Sequence, residues 1–106
     1  MICNQCECQW LHLDIIRPIL ETCGKSFPTV DWGYMTIPSY PSGQLGFMVC
    51  STDEHEVRKP RRAISDELQA QLKYYTPEMH SAGFMLPRFT MQKLGPALKR
   101  GKPVVN

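Results

Sequence analysis

The sequence predicts an α/β unit made of a strand, a helix, an antiparallel β-hairpin and a set of C-terminal helices. Three observations predict it. Two strand-like runs flank a Pro-Ser-Gly turn at residues 41–43, apolar residues recur at helical spacing between Leu11 and Cys23, and cap-then-proline signals repeat in the C-terminal half.

Met1 to about Glu7 reads as the end of a central strand. From Gln9 to Cys23, Leu11, Ile15, Ile19 and Cys23 form a stripe with Ile16 and Leu20 beside it. Pro18 falls inside that run, where it removes one hydrogen bond and clashes with a carbonyl at a cost of about 3 kcal/mol, so a kink or a later helix start is expected. Phe27-Pro28 ends the unit. In the following strand Val30, Trp32 and Tyr34 point to one face, and Met35 and Ile37 to the other. Leu45 to Cys50 is nearly all apolar, the pattern of a strand covered on both faces. Between these strands Pro38 and Pro41 remove two donors and Gly43 permits a positive φ, which defines a rigid turn presenting Tyr40.

The connection from Ser51 to Ala63 is charged, with Asp53-Glu54 set against the basic run Arg58 to Arg62. Such a run beside acids reads as a solvated loop, with phosphate binding or a nuclear signal as the minority alternative. Ser65 caps a helix carrying Asp66 and Glu67 in its first turn, with Leu68, Leu72 and Tyr75 expected as its buried stripe. Thr76-Pro77 and Leu86-Pro87 open two further short helices, the last containing Phe89 and Leu94. Residues 1–98 form the folded unit in this reading, and 99–106 a flexible tail.

At 106 residues with 42% hydrophobic content the chain can supply one small core, and its net charge of +2 gives no electrostatic case for nucleic acid or anionic lipid. No apolar run approaches the roughly 20 residues that span a bilayer. No membrane and no nucleic-acid partner, and a cytoplasmic location, are therefore the expectation. Cys3, Cys6, Cys8, Cys23 and Cys50 are an odd set without paired spacing, so reduced, small buried thiols are expected. Cys3, Cys6 and Cys8 with His12 make the one candidate metal cluster, but half of a structural zinc set is missing and no metal is expected. Asp14 reads as a solvated or capping carboxylate, and His12, His55 and His80 have no partners typical of a nucleophilic triad.

The run Tyr34-Met-Thr-Ile-Pro-Ser-Tyr-Pro-Ser-Gly-Gln-Leu-Gly-Phe-Met48 closely resembles the signature of the spermidine synthases, the polyamine aminopropyltransferases. The resemblance extends to Gln5, Glu7, Gln9 to Asp14, Lys73-Tyr74-Tyr75, His80 and Phe84 to Phe89, and so covers most of the chain. It implies the C-terminal part of a Rossmann-like, class I methyltransferase-type fold. It also implies transfer of an aminopropyl group from decarboxylated S-adenosylmethionine to putrescine, in a family of homo-oligomers. By resemblance Gln5 and Tyr40 orient the attacking amine, while Pro38 and Leu45 lie along the diamine's carbon stem. On residues alone Tyr40 also fits a corner tyrosine tying down the hairpin; the ordered match of Tyr40-Pro-Ser-Gly-Gln44 favours the substrate role. Cys6 and Pro18 depart from the family pattern.

The family's Gly-rich nucleoside cradle and its catalytic aspartate have no counterpart here: the seven glycines are scattered and none are adjacent. No catalytic, cofactor-binding or metal-binding residue is therefore assigned within this chain. The sequence reads as the C-terminal third of an aminopropyltransferase, inactive alone, marginally stable and prone to self-association. The alternative is a catalytically inactive paralogue that associates with a full-length subunit.

Overall fold

The computed structural model describes residues 1–104, and they form seven main elements. In chain order these are β1 (Ile2–Gln5), α1 (Leu13–Cys23), β2 (Thr29–Thr36), β3 (Gln44–Ser51), α2 (Asp66–Gln71), α3 (Pro77–Ala82) and α4 (Arg88–Leu94). Single 3₁₀ turns sit at Pro41–Gly43 and Gly95–Ala97. The result is the expected α/β unit. β3 is the central strand of an antiparallel sheet ordered β1-β3-β2, and it runs in register from Thr36↔Gln44 to Thr29↔Ser51 on one side and from Ile2↔Cys50 to Gln5↔Phe47 on the other. Its central place explains its apolar run, because both of its faces and both of its edges are covered.

The main core lies between one face of this sheet and helices α1 and α4. Val30 and Trp32 of β2, Met48 and Cys50 of β3, Ile16 and Leu20 of α1 and Leu94 of α4 meet there. Burial of each large side chain contributes about 1.5–3 kcal/mol. On the opposite face Val49, Val57 and Phe84 form a smaller cluster, with the Phe47 and Phe84 rings edge to face at 5.4 Å.

Helix α1 begins later than the run of helical spacing. A turn closed by the Leu11 and His12 amides on the Cys8 carbonyl precedes it, and Pro18 is then accommodated on the exposed side. The buried face is centred on Ile16 and Leu20, leaving Leu11 and Ile15 exposed. The stripe expected on α2 is not buried. Ser65 caps this helix through its hydroxyl, but Leu72 already has extended backbone, so Leu68, Leu72 and Tyr75 never share one helical face. Leu68 and Leu72 are exposed and Tyr75 alone is half-buried. Thr76 caps α3 as expected, accepting from the Met79 amide.

The C-terminal segment differs from the flexible tail expected at 99–106. Lys99 exchanges backbone hydrogen bonds with Val30 at 2.9 and 2.8 Å, Lys102 pairs with the strand-like backbone around His55, and Val104 donates to Glu56. The anchor is ionic. Asp31, fully buried, accepts from the Trp32 amide at 2.8 Å and from Arg100 Nε at 3.2 Å, with Arg58 Nε at 3.7 Å. Burial pushes the Asp31 carboxyl above its ordinary value while both guanidiniums pull it down. Residues 105 and 106 of the expected tail lie outside the described residues.

Two of the four cations of the basic run pair within the chain, Arg58 with Glu56 at 2.8 Å and Arg61 with Asp53 at 2.6 Å. Asp14 is a surface carboxylate bonded to Lys93 of α4. All five cysteines are free thiols, and burial pushes Cys6 and Cys50 up to about 11, as befits small core side chains. Among the described residues, no group of three or more His, Cys, Asp or Glu gathers to hold a metal ion. No helix among them is long and apolar enough to cross a membrane.

Candidate functional site

The site is built where β1 ends against the β2–β3 hairpin. Gly46 of β3 accepts from the Cys6 amide at 2.8 Å and donates to the Glu7 carbonyl at 2.7 Å, while Trp32 Nε1 donates to the Cys6 carbonyl at 3.0 Å. Only a glycine lets the strand end come this close. A Cβ on residue 46 would fall 2.7 Å from both the Cys6 and Glu7 carbonyl oxygens and closer still to the Trp32 ring. Glu7 itself turns the chain with φ of 57°, an uncommon left-handed conformation for a residue with a side chain. Cys6, the departure from the family pattern, points into the core as a small apolar group and leaves the strand end paired.

The hairpin turn is held by three backbone bonds. Tyr40 donates to Ile37, Gly43 to Tyr40, and Ile37 to Gly43. Ser42 and Gly43 both adopt positive φ, 65° and 73°, so the turn is as tightly determined as its two prolines predict. Two side-chain links fasten it to the segment after β1: Cys8 Sγ lies 2.9 Å from Ser42 Oγ, and Gln9 Nε2 donates to Gln44 Oε1 at 2.8 Å.

The two segments enclose a cavity of about 190 Å³ lined by Gln5, Glu7, Cys8, Leu11, His12, Tyr40, Pro41, Gln44 and Leu45. Three of the four expected site residues therefore meet, although Gln5 and Tyr40 come from distant parts of the chain. Pro38 does not line it. It is exposed, at the second position of the turn closed by the Tyr40 amide on the Ile37 carbonyl, and Pro41 beside Tyr40 is the proline that lines the cleft. Tyr40 is 39% exposed.

The polar groups offered are an amide at Gln5, a phenol at Tyr40, an amide at Gln44 and the Glu7 carboxylate, whose Oε2 is 3.3 Å from His12 Nδ1. Amide and phenol oxygens accept hydrogen bonds from an amine, and the carboxylate balances a cation. Reading the sequence alone did not place Glu7, His12 or Gln44 at the site. Their signal was membership in the quoted motif segments rather than any periodicity.

A larger groove of about 480 Å³ lies on the other sheet face, lined mainly by apolar and aromatic side chains such as Phe47, Val49, Met79 and Phe84. Its histidine is spent structurally: His80 Nε2 is 2.8 Å from the Val57 carbonyl, and Tyr75 OH meets His80 Nδ1 at 2.7 Å. Convergent acceptor groups, rather than volume, mark the smaller cavity as the candidate.

Residues 1–60 match the family described as the spermine/spermidine synthase domain. The chain is 44% identical over 94 residues to a spermidine synthase of Dictyostelium discoideum, covering 89% of this chain and 33% of that protein. It is 38% identical over 98 residues to putrescine N-methyltransferase 2 of Nicotiana attenuata, covering 84% of this chain and 26% of that protein. The solved structure of spermidine synthase from Thermotoga maritima is 25% identical and superposes with a TM-score of 0.65, over 89% of this chain and 33% of that one. The chain thus spans a third or less of the length of these relatives.

Proposed function

This chain belongs to the spermine/spermidine synthase family, and on that premise we propose that its cavity between β1 and the hairpin is the amine half of a putrescine pocket for aminopropyl transfer. The observation that carries this reading is the convergence of Gln5, Glu7, Tyr40 and Leu45 on one small cleft. A volume of about 190 Å³ is below the roughly 300 Å³ at which drug-sized sites begin, which suits a short aliphatic ligand.

The relatives support an amine role in particular. A spermidine synthase and a putrescine N-methyltransferase carry different groups to be transferred, and this segment is similar to both. In the proposed complex Gln5 and Tyr40 accept hydrogen bonds from the attacking amine and aim its lone pair at the carbon to be alkylated. Leu45 and Pro41 flank the methylene chain, and Glu7 balances the ammonium at the far end. The attacking nitrogen must be neutral, so its proton has to leave first. Glu7 is the one carboxylate among the residues lining the cleft, and its role as counter-charge leaves the base to be supplied from outside this chain. Decarboxylated S-adenosylmethionine is the proposed co-substrate of the complete enzyme.

Titration of the ¹⁵N-labelled chain with 1,4-diaminobutane tests the reading. Shifts confined to Gln5, Glu7, Tyr40 and their neighbours are expected, and shifts spread evenly over the surface, or none, would refute it. A turnover assay on the same chain should give no spermidine. The exposed β1 edge, with Ile2 half-exposed, favours as a second reading a chain that associates with a full-length subunit. Co-purification with such a subunit, abolished by Ile2→Lys, distinguishes it.

A further inference from the structure

Gln9 is 2% exposed, yet it carries a carboxamide, a group that is costly to bury unpaired. Both of its ends are used. Thr90 Oγ1, fully buried on α4, donates to Gln9 Oε1 at 2.8 Å, and Gln9 Nε2 donates to Gln44 Oε1 at 2.8 Å. Three elements remote in sequence are joined through one side chain, and the last of them lines the cleft two positions after Ser42, which Cys8 holds independently. A methionine of similar length would fill the same space without orienting anything.

We propose that Gln9 is a positioning residue that transmits the placement of helix α4, through Thr90, to Gln44 and the turn bearing Tyr40. Its bearing on amine binding rests on the function proposed above; the relay itself does not. With its oxygen held by Gln9, the Gln44 carboxamide cannot rotate freely. The turn's hydroxyl is thereby set by a helix that itself contributes no residue to the cleft lining. Removing the Thr90 hydroxyl leaves Gln9 Oε1 buried and unpaired, and Gln9 then turns away from Gln44 to recover a partner.

The test uses the complete chain, labelled with ¹⁵N. Side-chain amide protons of Gln9 should exchange with solvent about tenfold or more slowly than those of exposed Gln92, as expected for a buried, bonded group. Thr90→Val should move the Gln44 side-chain and Tyr40 backbone signals and weaken 1,4-diaminobutane binding about fivefold, the worth of one neutral hydrogen bond. Thr90→Ser should restore both. Leu94→Ala, on the same helix but outside the relay, should lower the melting temperature and leave Gln44 and Tyr40 unmoved. Gln9 protons exchanging as fast as those of Gln92, or equal responses of Tyr40 to Thr90→Val and Leu94→Ala, would overturn the relay. Absence of diamine binding by the parent chain with these signals intact would overturn the proposed function and leave the relay standing.

Discussion

Gly46→Ala is expected to damage both stability and the site, and the structure gives the size of the effect. A methyl at this position meets the Cys6 and Glu7 carbonyl oxygens at 2.7 Å and the Trp32 ring more closely, and all three belong to parts that cannot move independently. Relief requires the end of β1 to leave β3. That breaks the 2.8 Å bond from the Cys6 amide, the 2.7 Å bond to the Glu7 carbonyl and the 3.0 Å bond from the Trp32 indole. At about 1 kcal/mol each, with about 1 kcal/mol or more of residual overpacking, the loss is about 4 kcal/mol. For a domain of this size that lowers the melting temperature by roughly 15–30 °C. Gly95→Ala is the control, because a Cβ there meets only the Met91 methyl at 3.6 Å and the backbone is already helical. It should be neutral or stabilising by up to about 1 kcal/mol. Urea unfolding followed by tryptophan fluorescence measures both, with the Cys6 amide signal reporting the strand end. A Gly46→Ala loss below about 1 kcal/mol, with Cys6 still protected, would show that the approach of β1 to β3 is not what glycine secures.

In a complete enzyme carrying this segment, Tyr40→Phe should lower putrescine use by about tenfold or more, since one hydrogen bond to the reacting amine is lost, and unchanged putrescine kinetics would return Tyr40 to a corner role. Acid should destabilise the loop between β3 and α2. Arg61 and then His55 hold the Asp53 carboxyl well below the usual range, so its contribution is present above the ordinary carboxylate pKa of about 4 and is lost as pH falls through the lowered value. Arg61→Gln should flatten that part of the urea midpoint curve between about pH 5 and 2, and superimposable curves would disprove the pairing. Buried Asp31 acts in the opposite sense, its raised pKa making the carboxylate costly as pH rises through it. Finally, the exposed β1 edge should drive concentration-dependent association seen by light scattering, relieved by Ile2→Lys; a monodisperse parent chain at high concentration would contradict this.

The order of elements is legible along the chain, because strand alternation, the Pro-Ser-Gly turn and the Ser65 and Thr76 caps are local properties that neighbours in the chain enforce. The ordered motif segments also carry Gln5, Tyr40 and Leu45, which the fold gathers around one cleft. Which side of α1 is buried depends on packing across the fold, since Ile15 and Ile16 satisfy the same spacing and the choice falls to Trp32 and Leu94 packed opposite. The expected stripe on α2 failed for the same reason: periodicity describes a helix that continues, and this one ends at Leu72. Pro38 lies outside the cleft lining while Pro41 lines it, because chain position does not reveal which proline of a double turn faces inward. The residues from Lys99 onward read as a tail because the carboxylate that anchors Arg100, Asp31, is buried and distant in sequence. Gln9 and Thr90 carry no local signal at all, because a buried amide is explained only by what meets it across the fold.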